Sequence, residues 1–169
     1  MFGDLNRSRT LAHSAVFFAL ITLGSWVSIP FFPVPLTLQT LFVLLSGAVM
    51  HRYAVIPVTL YILLGALGLP VFHNGIAGFG ILLGPTGGYL IGFIPAALIV
   101  GLAYETENAH IHIIGLTLGT LIIYTFGISW LLYSTGMGIA AALVIGMLPF
   151  VLGDVAKASA AYLIAQRLP

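Results

Sequence analysis

Asp154 and Lys157 are the residues of this sequence whose types and spacing could do chemistry. They interrupt the otherwise apolar segment 149–167, PFVLGDVAKASAAYLIAQR. Because side chains three residues apart on a helix share one face, their carboxylate and ammonium groups would point toward the same small volume. Each charge costs about 2.5–3.5 kcal/mol at the centre of a membrane helix, and such charges normally face a bundle interior or a cavity. The pair therefore indicates a binding site for a polar group.

Two other roles of the Asp154 and Lys157 pair stay open from the residues alone. The two charges could form an internal salt bridge that touches no ligand. They could also act as base and acid in a membrane enzyme, but no second group of titratable side chains supports catalysis. His110 and His112 lie two residues apart and point to different sides of a helix, which makes them a poor metal pair. We therefore expect a ligand-binding protein with no catalytic residue, metal or cofactor.

The composition indicates that the chain lies in a membrane. Of its 169 residues, 60% are hydrophobic and 5% are charged, whereas soluble domains carry about 25% charged residues. The five Lys and Arg residues are dispersed and form no basic stripe for nucleic acid. We expect one transmembrane substrate-binding domain over residues 1–169, surrounded by the lipid of the cell membrane, and we exclude nucleic-acid binding.

Six membrane helices are predicted from the apolar segments. They cover about residues 11–28, 36–50, 54–69, 85–103, 113–133 and 137–166, and the sixth helix bends near Pro149. With the N-terminus in the cytoplasm, every arginine falls on the inner side, as the positive-inside rule requires. These arginines are Arg7, Arg9, Arg52 and Arg167. The expected fold is an all-α bundle of six transmembrane helices, with both termini inside and a tight inner turn at His51 and Arg52.

Two irregular segments are predicted at the outer side. Three prolines within residues 29–39 rule out a regular helix through them, so this segment begins as a rigid loop. Gln39, near the outer end of the second helix, could be interfacial or could face a ligand. Residues 68–92 contain eight glycines, and irregular backbone at membrane depth is tolerated only where it is buried in protein or lines a cavity. We expect residues 70–84 to form an outer loop over the mouth of a cavity, between the third and fourth helices.

Ala15 and Ala19 form a pair of small residues four apart on the first helix, which lets another helix approach closely. That other helix could belong to the same bundle or to a partner protein.

The nucleotide-binding pattern GxxxxGK[ST] is absent from the sequence. We therefore expect that any ATP hydrolysis on which this protein depends takes place on a partner.

Four stretches of the sequence together resemble the BioY family, the biotin-specific S components of energy-coupling factor transporters. These stretches are PVPLTLQT at 33–40, LGALGLPVF at 64–72, LGPTGGYLIGF at 83–93 and PFVLGDVAK at 149–157. They occur in the family's order and span nearly the whole chain. Two departures are a short inner turn at His51 and Arg52, and His73 and Asn74 where the family commonly has small residues.

The resemblance implies a six-helix S-component fold that captures biotin from outside the cell. It also implies two kinds of partner, a transmembrane coupling subunit and a pair of cytoplasmic ATPases. Ala15 and Ala19 would then face the coupling subunit. An S component for another small vitamin-like ligand, or a facilitator that acts alone, remains the alternative.

Biotin, as the implied ligand, presents a urea group, an apolar ring system with an aliphatic chain, and a carboxylate. Asp154 can accept a hydrogen bond from a urea N–H while Lys157 donates to the urea carbonyl, and such charge-assisted bonds are about twice as strong as neutral ones. An alternative pose pairs Lys157 with the ligand carboxylate, and the sequence does not choose between the two poses.

The remaining contacts are predicted from the residues near the outer side. Aromatic rings would enclose the apolar part of the ligand, for which Phe72, Tyr89 and Phe79 are candidates. Asn74, Thr86 or backbone amides of the glycine-rich segment would donate to the carboxylate. Gln39 completes the expected ligand-binding set.

Overall fold

A computed structural model describes the backbone of residues 2–168 and the side chains of residues 7–168. The chain is folded mainly as helices, in which every backbone amide can be satisfied inside the segment, as a bilayer requires. The helices are α1 Phe2–Trp26, α2 Gln39–Met50, α3 Val55–Ala66, α4 Phe79–Leu83, α5 Gly87–Ala103, α6 Ala109–Thr135, α7 Ile139–Gly146 and α8 Leu148–Ala165. The prediction of a mainly helical protein is confirmed, although a short two-stranded sheet is also present.

Two helices begin earlier than predicted. We expected a polar head over residues 1–10, but α1 is helical from Phe2 onward, and Met1 lies outside the described residues. Pro is absent from this segment, so every residue in it can join the helical hydrogen-bond pattern. The fifth predicted helix corresponds to α6, which begins at Ala109 because Asn108 caps it, with its side-chain oxygen 2.9 Å from the backbone nitrogen of His110.

The second predicted helix begins later, because residues 36 and 37 are extended. Ser28–Ile29 (β1) pairs antiparallel with Leu36–Thr37 (β2), and Ser28 lies opposite Thr37. The Leu38 N–H donates to the Gly24 carbonyl at 3.0 Å, which fastens the end of the hairpin to α1. Helix α2 therefore starts at Gln39, and the proline-rich segment between the strands forms the predicted irregular loop.

The chain reverses direction between α2 and α3. The residue before α2, Leu38, bonds to the end of α1, and the carbonyl of Val71, after α3, accepts from Ser25 near the same end of α1 at 2.6 Å. The reversal takes place in the 3-10 turn His51–Ala54, where His51 adopts a φ of 55°. This geometry confirms the predicted tight turn at His51 and Arg52.

Three helical stretches of the described residues are long and apolar enough to cross a membrane: Gln39–Ala66, Ala109–Thr135 and Leu148–Ala165. The shorter apolar helix α5 covers Gly87–Ala103. The first of the three contains the reversal at His51–Ala54, so it consists of two antiparallel helices of 12 residues each. At 1.5 Å per residue each of these is about 18 Å long.

The sixth predicted helix is divided into α7 and α8. The break falls at Met147, whose φ of −131° and ψ of −56° leave the helical region. Pro149 stands in the first turn of α8, where its missing N–H needs no partner, and it cannot continue α7. The predicted bend near Pro149 is therefore present as a break just before it.

Two glycines of α5 let its backbone lie directly against side chains of α6. A Cβ at Gly88 would overlap Trp130, and a Cβ at Gly92 would lie 2.9 Å from the Cβ of Phe126. This close approach, typical of small residues spaced four apart in membrane helices, aligns the start of α5 with the C-terminal half of α6.

The segment 70–84 is ordered against the bundle. It contains the 3-10 turn His73–Gly75 and the short helix α4. Phe72, at its start, is fully buried, and its ring centroid lies 5.4 Å from that of Tyr61. A Cβ at Gly65 would overlap the Phe72 ring, so the glycine makes room for this anchor.

Candidate ligand-binding site

A cavity lies where α2, α5, α6 and α8 meet the two irregular segments. Its volume is about 60 Å³, smaller than the roughly 300–1,000 Å³ usual for small-molecule sites, so a ligand of that size would have to widen it. Its apolar wall includes Val34, Leu90, Phe93, Ile123 and Phe150. Its mainly apolar lining suits a ligand with a nonpolar body.

Asp154 and Lys157 lie together in the wall of this cavity. The Lys157 Nζ donates to Asp154 Oδ1 at 2.8 Å, as their spacing on α8 permits. Asp154 is 5% exposed, and the Lys157 side chain is 13% exposed. The structure thus brings a buried acceptor and a buried donor to one place, and their role toward a ligand stays a prediction.

Two further side chains hold the carboxylate of Asp154. The Tyr124 hydroxyl on α6 donates to Asp154 Oδ2 at 2.5 Å, and the Thr40 hydroxyl on α2 donates to Oδ1 at 3.1 Å. A carboxylate offers about four lone-pair sites, and together with Lys157 these residues occupy three of them. One site is left to accept from a ligand without disturbing the three bonds.

Thr40 and Tyr124 were missed by the sequence reasoning. Each is one of several polar side chains in a mainly apolar helix, and that is a usable signal, since intramembrane polar groups normally face the bundle interior. Which of several such residues reaches α8 depends on helix rotation and packing, which the pattern of a nearly uniformly apolar helix does not specify.

Tyr89 is fixed in the cavity wall by two glycines. Its hydroxyl donates to the Gly146 carbonyl at 2.7 Å, and its ring lies against Gly127 of α6. A Cβ at Gly127 would overlap this ring. The aromatic wall therefore depends on the absence of a side chain at residue 127.

The substitution Gly127→Ala should displace Tyr89 and narrow the cavity. Overpacking of this kind typically destabilises by about 1–3 kcal/mol, and we expect a lower thermal midpoint in detergent together with weaker ligand binding. The control is Gly80→Ala, because a Cβ at Gly80 would meet nothing within 4 Å. Equal midpoints and equal ligand affinities for the two variants would contradict this role of Gly127.

Two polar groups of the cavity lining lack partners within the described residues. Gln39 is 5% exposed and its Nε2 makes no hydrogen bond, and the same holds for the buried Nδ1 of His73. Both residues line the cavity. Because buried polar groups are hydrogen-bonded in the large majority of cases, these two atoms are candidates for ligand contacts.

The other predicted contacts divide into two groups. Phe72 and Thr86 line the cavity, as Gln39 and Tyr89 do. Asn74 is exposed and its Oδ1 accepts from the Ser28 hydroxyl at 2.7 Å, so it lies beside the cavity without lining it. Phe79 is 62% exposed on α4 and is also outside the lining.

Ala15 and Ala19 are exposed on α1. The exposed apolar side chains Val16 and Leu23 lie near them along the helix. In the described part of the chain this face is not covered by another helix of the bundle. It is therefore available to a helix from outside.

The paired histidines at the start of α6 have a local role. The ring of His112 stacks on Tyr104 with centroids 4.0 Å apart, and its Nε2 lies 2.8 Å from the Thr106 carbonyl oxygen. Among the side chains of residues 7–168, no cluster of three or more suited to a metal ion is present.

Comparison with known proteins identifies relatives over nearly the full length. The model of the BioY family matches residues 3–169. The biotin transporter BioY of Thermotoga maritima is 44% identical over 162 residues, covering 95% of each chain. The probable biotin transporter BioY of Pyrococcus horikoshii is 38% identical, covering 96% of this chain and 97% of that protein.

A solved structure has the same fold. The crystal structure of the S-component for biotin from an ECF-type ABC transporter superposes with a TM-score of 0.87. The two proteins are 28% identical, and the match covers 97% of this chain and 92% of the other. The expectation of an S-component fold is confirmed by this similarity.

Proposed function

The chain belongs to the BioY family, and from that membership we propose that it captures biotin as the S component of an energy-coupling factor transporter. It is a multi-pass protein of the cell membrane and not an enzyme. The observation that carries the proposal is the ion pair of buried Asp154 and largely buried Lys157 in the wall of a mainly apolar cavity. In this proposal biotin is the transported ligand, and no cofactor is assigned to the chain.

We propose that the urea of biotin lies against Asp154 and Lys157. The carboxylate would accept from a urea N–H, and the ammonium would donate to the urea carbonyl. This pose keeps the ion pair intact at 2.8 Å while it adds two charge-assisted bonds. Pairing Lys157 with the biotin carboxylate would instead bring a second anion close to Asp154, which like-charge repulsion disfavours.

The rings and aliphatic chain of biotin would occupy the apolar part of the cavity, against Phe72 and Tyr89. Gln39 would contribute its unpartnered amide, and Thr86, at the start of α5, a hydroxyl that makes no capping bond. Asn74 stays a candidate only if its side chain leaves Ser28 and turns inward. The single substrate-binding domain over residues 1–169 would consist of this bundle.

The proposed topology has six spans, with both termini in the cytoplasm. The reversal at His51–Ala54 supports it, since α2 and α3 then count as two spans. Arg52 pairs with Glu105 after α5, at 2.7 Å between Nε and Oε1, so these two connections lie at the same end of the bundle. A cytoplasmic position for that end follows from the positive-inside rule.

The proposed partners are a transmembrane coupling subunit and a pair of cytoplasmic ATPases. The exposed face of α1 with Ala15 and Ala19 would receive the coupling subunit, because small residues allow close helix packing without a clash. Lipid would cover the remaining apolar surface. ATP would be hydrolysed by the partner, since this sequence has no GxxxxGK[ST] pattern.

Tyr124→Phe should weaken biotin binding by about tenfold. The variant loses the hydrogen bond to Asp154 Oδ2 but keeps the ring, and hydrogen bonds to charged groups contribute about 1.5–3 kcal/mol. The measurement is a calorimetric titration, with the exposed Tyr133→Phe as control. When Asp154 is already replaced by Asn, the additional substitution Tyr124→Phe should cause almost no further loss of biotin affinity. A further tenfold loss of biotin affinity in this double variant would contradict the proposal that Tyr124 acts through Asp154.

Calorimetric titration of the detergent-purified chain with biotin, thiamine and riboflavin tests the proposed ligand. We expect stoichiometric binding of biotin and no heat from the other two vitamins. If the chain binds thiamine or riboflavin and not biotin, the proposed ligand is wrong and the S-component fold serves another vitamin.

A further inference from the structure

His73 is a cavity-lining residue whose imidazole is incompletely bonded. Its Nδ1 is buried without a hydrogen-bond partner in the described part of the chain. The ring contributes to the same cavity wall as Asp154 and Lys157. A buried donor or acceptor left unpaired costs about 1–3 kcal/mol, so a partner supplied by a ligand would remove that cost.

The position of His73 is fixed by its turn. Phe72, immediately before it, is fully buried, and the Phe72 N–H donates to the Ile76 carbonyl at 3.1 Å. The Ile76 N–H donates back to the His73 carbonyl at 3.3 Å. These bonds close the turn on a buried anchor, so little ordering is needed when a ligand arrives.

The charges of the cavity indicate which end of the ligand His73 meets. The ion pair of Asp154 and Lys157 is neutral as a unit, which suits a neutral urea. Among the described residues that line the cavity, only Lys157 and His73 can carry a positive charge, and Lys157 is already bonded to Asp154. An anionic group of the ligand is therefore best placed at His73.

Resting on the proposed function, we propose that the His73 imidazole donates a hydrogen bond to the carboxylate of biotin, so that separate groups recognise the two polar ends of the ligand. Burial lowers the pKa of His73, which favours the neutral ring in the empty cavity. A neutral imidazole still donates from one nitrogen. Thr86 at the N-terminus of α5 lines the same cavity, and the positive end of that helix dipole adds to the attraction.

The test compares biotin with biotinamide, in which the carboxylate is replaced by a neutral amide. For His73→Leu we expect biotin to bind about 10- to 100-fold more weakly, as the loss of one charge-assisted hydrogen bond implies. Biotinamide should lose less than about fivefold, because its bond to the imidazole is neutral and weaker. His73→Gln, which keeps a side-chain donor, should recover part of the biotin affinity.

The exposed His110→Leu serves as control and should leave both ligands unchanged. Retained binding of biotinamide by His73→Leu would show that the variant is folded. Equal losses for the two ligands would overturn the role of His73 while leaving biotin capture intact. Failure of the unaltered chain to bind biotin would instead contradict the proposed function, and this inference with it.

Discussion

Asp154→Asn is expected to weaken biotin binding by about 100- to 1,000-fold. The variant keeps the size of the side chain but removes the charge that accepts from the urea, and it leaves Lys157 buried beside a neutral amide. Each hydrogen bond to a charged group contributes about 1.5–3 kcal/mol, and about 1.4 kcal/mol corresponds to a tenfold change in affinity. Loss of the Asp154 bond and misplacement of Lys157 together account for the expected range.

The matched control is Glu105→Gln, which also neutralises a carboxylate. Glu105 lies outside the membrane spans and accepts from Arg52, whose hydrogen bond lowers the pKa of Glu105. Because this exposed pair is remote from the cavity lining, its loss should leave biotin affinity unchanged within about twofold. Calorimetric titration measures the biotin affinity of both variants. Equal affinities would show that Asp154 is not part of the binding site.

The double substitution of Ala15 and Ala19 by Trp is expected to abolish docking on a coupling subunit while biotin binding persists. Both alanines are exposed, so the indoles need not enter the bundle of this chain. In a close helix contact, however, overpacking costs about 1–3 kcal/mol per site. Two sites together cost about 2–6 kcal/mol, which should lower complex formation by about 30-fold or more.

Co-purification with the coupling subunit and ATP-dependent uptake of biotin into vesicles measure this effect. The control is Leu118→Trp, which adds an indole at a site on α6 that is 46% exposed and apolar. We expect that control to assemble and transport normally. Undiminished assembly of the Ala15 and Ala19 variant would place the coupling interface elsewhere.

The helical bundle could be predicted because its signals are local and strong. Long apolar segments, the tight turn at His51 and the break near Pro149 depend on composition and on backbone chemistry that a sequence displays directly. The hairpin of β1 and β2 was missed because two-residue strands carry no periodicity. Their pairing depends on the Leu38 bond to α1, which is a tertiary contact.

The candidate site was predictable in part for the same reason. The buried charges on α8 stand out against apolar neighbours, and the position of Tyr89 and Phe72 in the cavity lining agrees with the sequence-based set. Thr40 and Tyr124 could not be assigned, because each helix carries several polar side chains and the sequence does not show which of them meets α8. Asn74 and His73 are adjacent in sequence, but His73 lines the cavity and Asn74 is exposed. This difference depends on the backbone of the turn, in which Asn74 has a φ of 56°.

The orientation of biotin at Asp154 and Lys157 is tested most directly by two ligand analogues. One analogue carries a methyl group on the urea nitrogen that faces Asp154. The methyl group removes the N–H that would donate a hydrogen bond to Asp154, and it adds bulk beside the ion pair. The other is biotinamide. We expect N-methylation to weaken binding to the unaltered chain by more than amidation does, by about tenfold or more. A loss of less than about twofold on N-methylation, together with a large loss on amidation that persists in His73→Leu, would contradict the urea pose and assign Lys157 to the carboxylate.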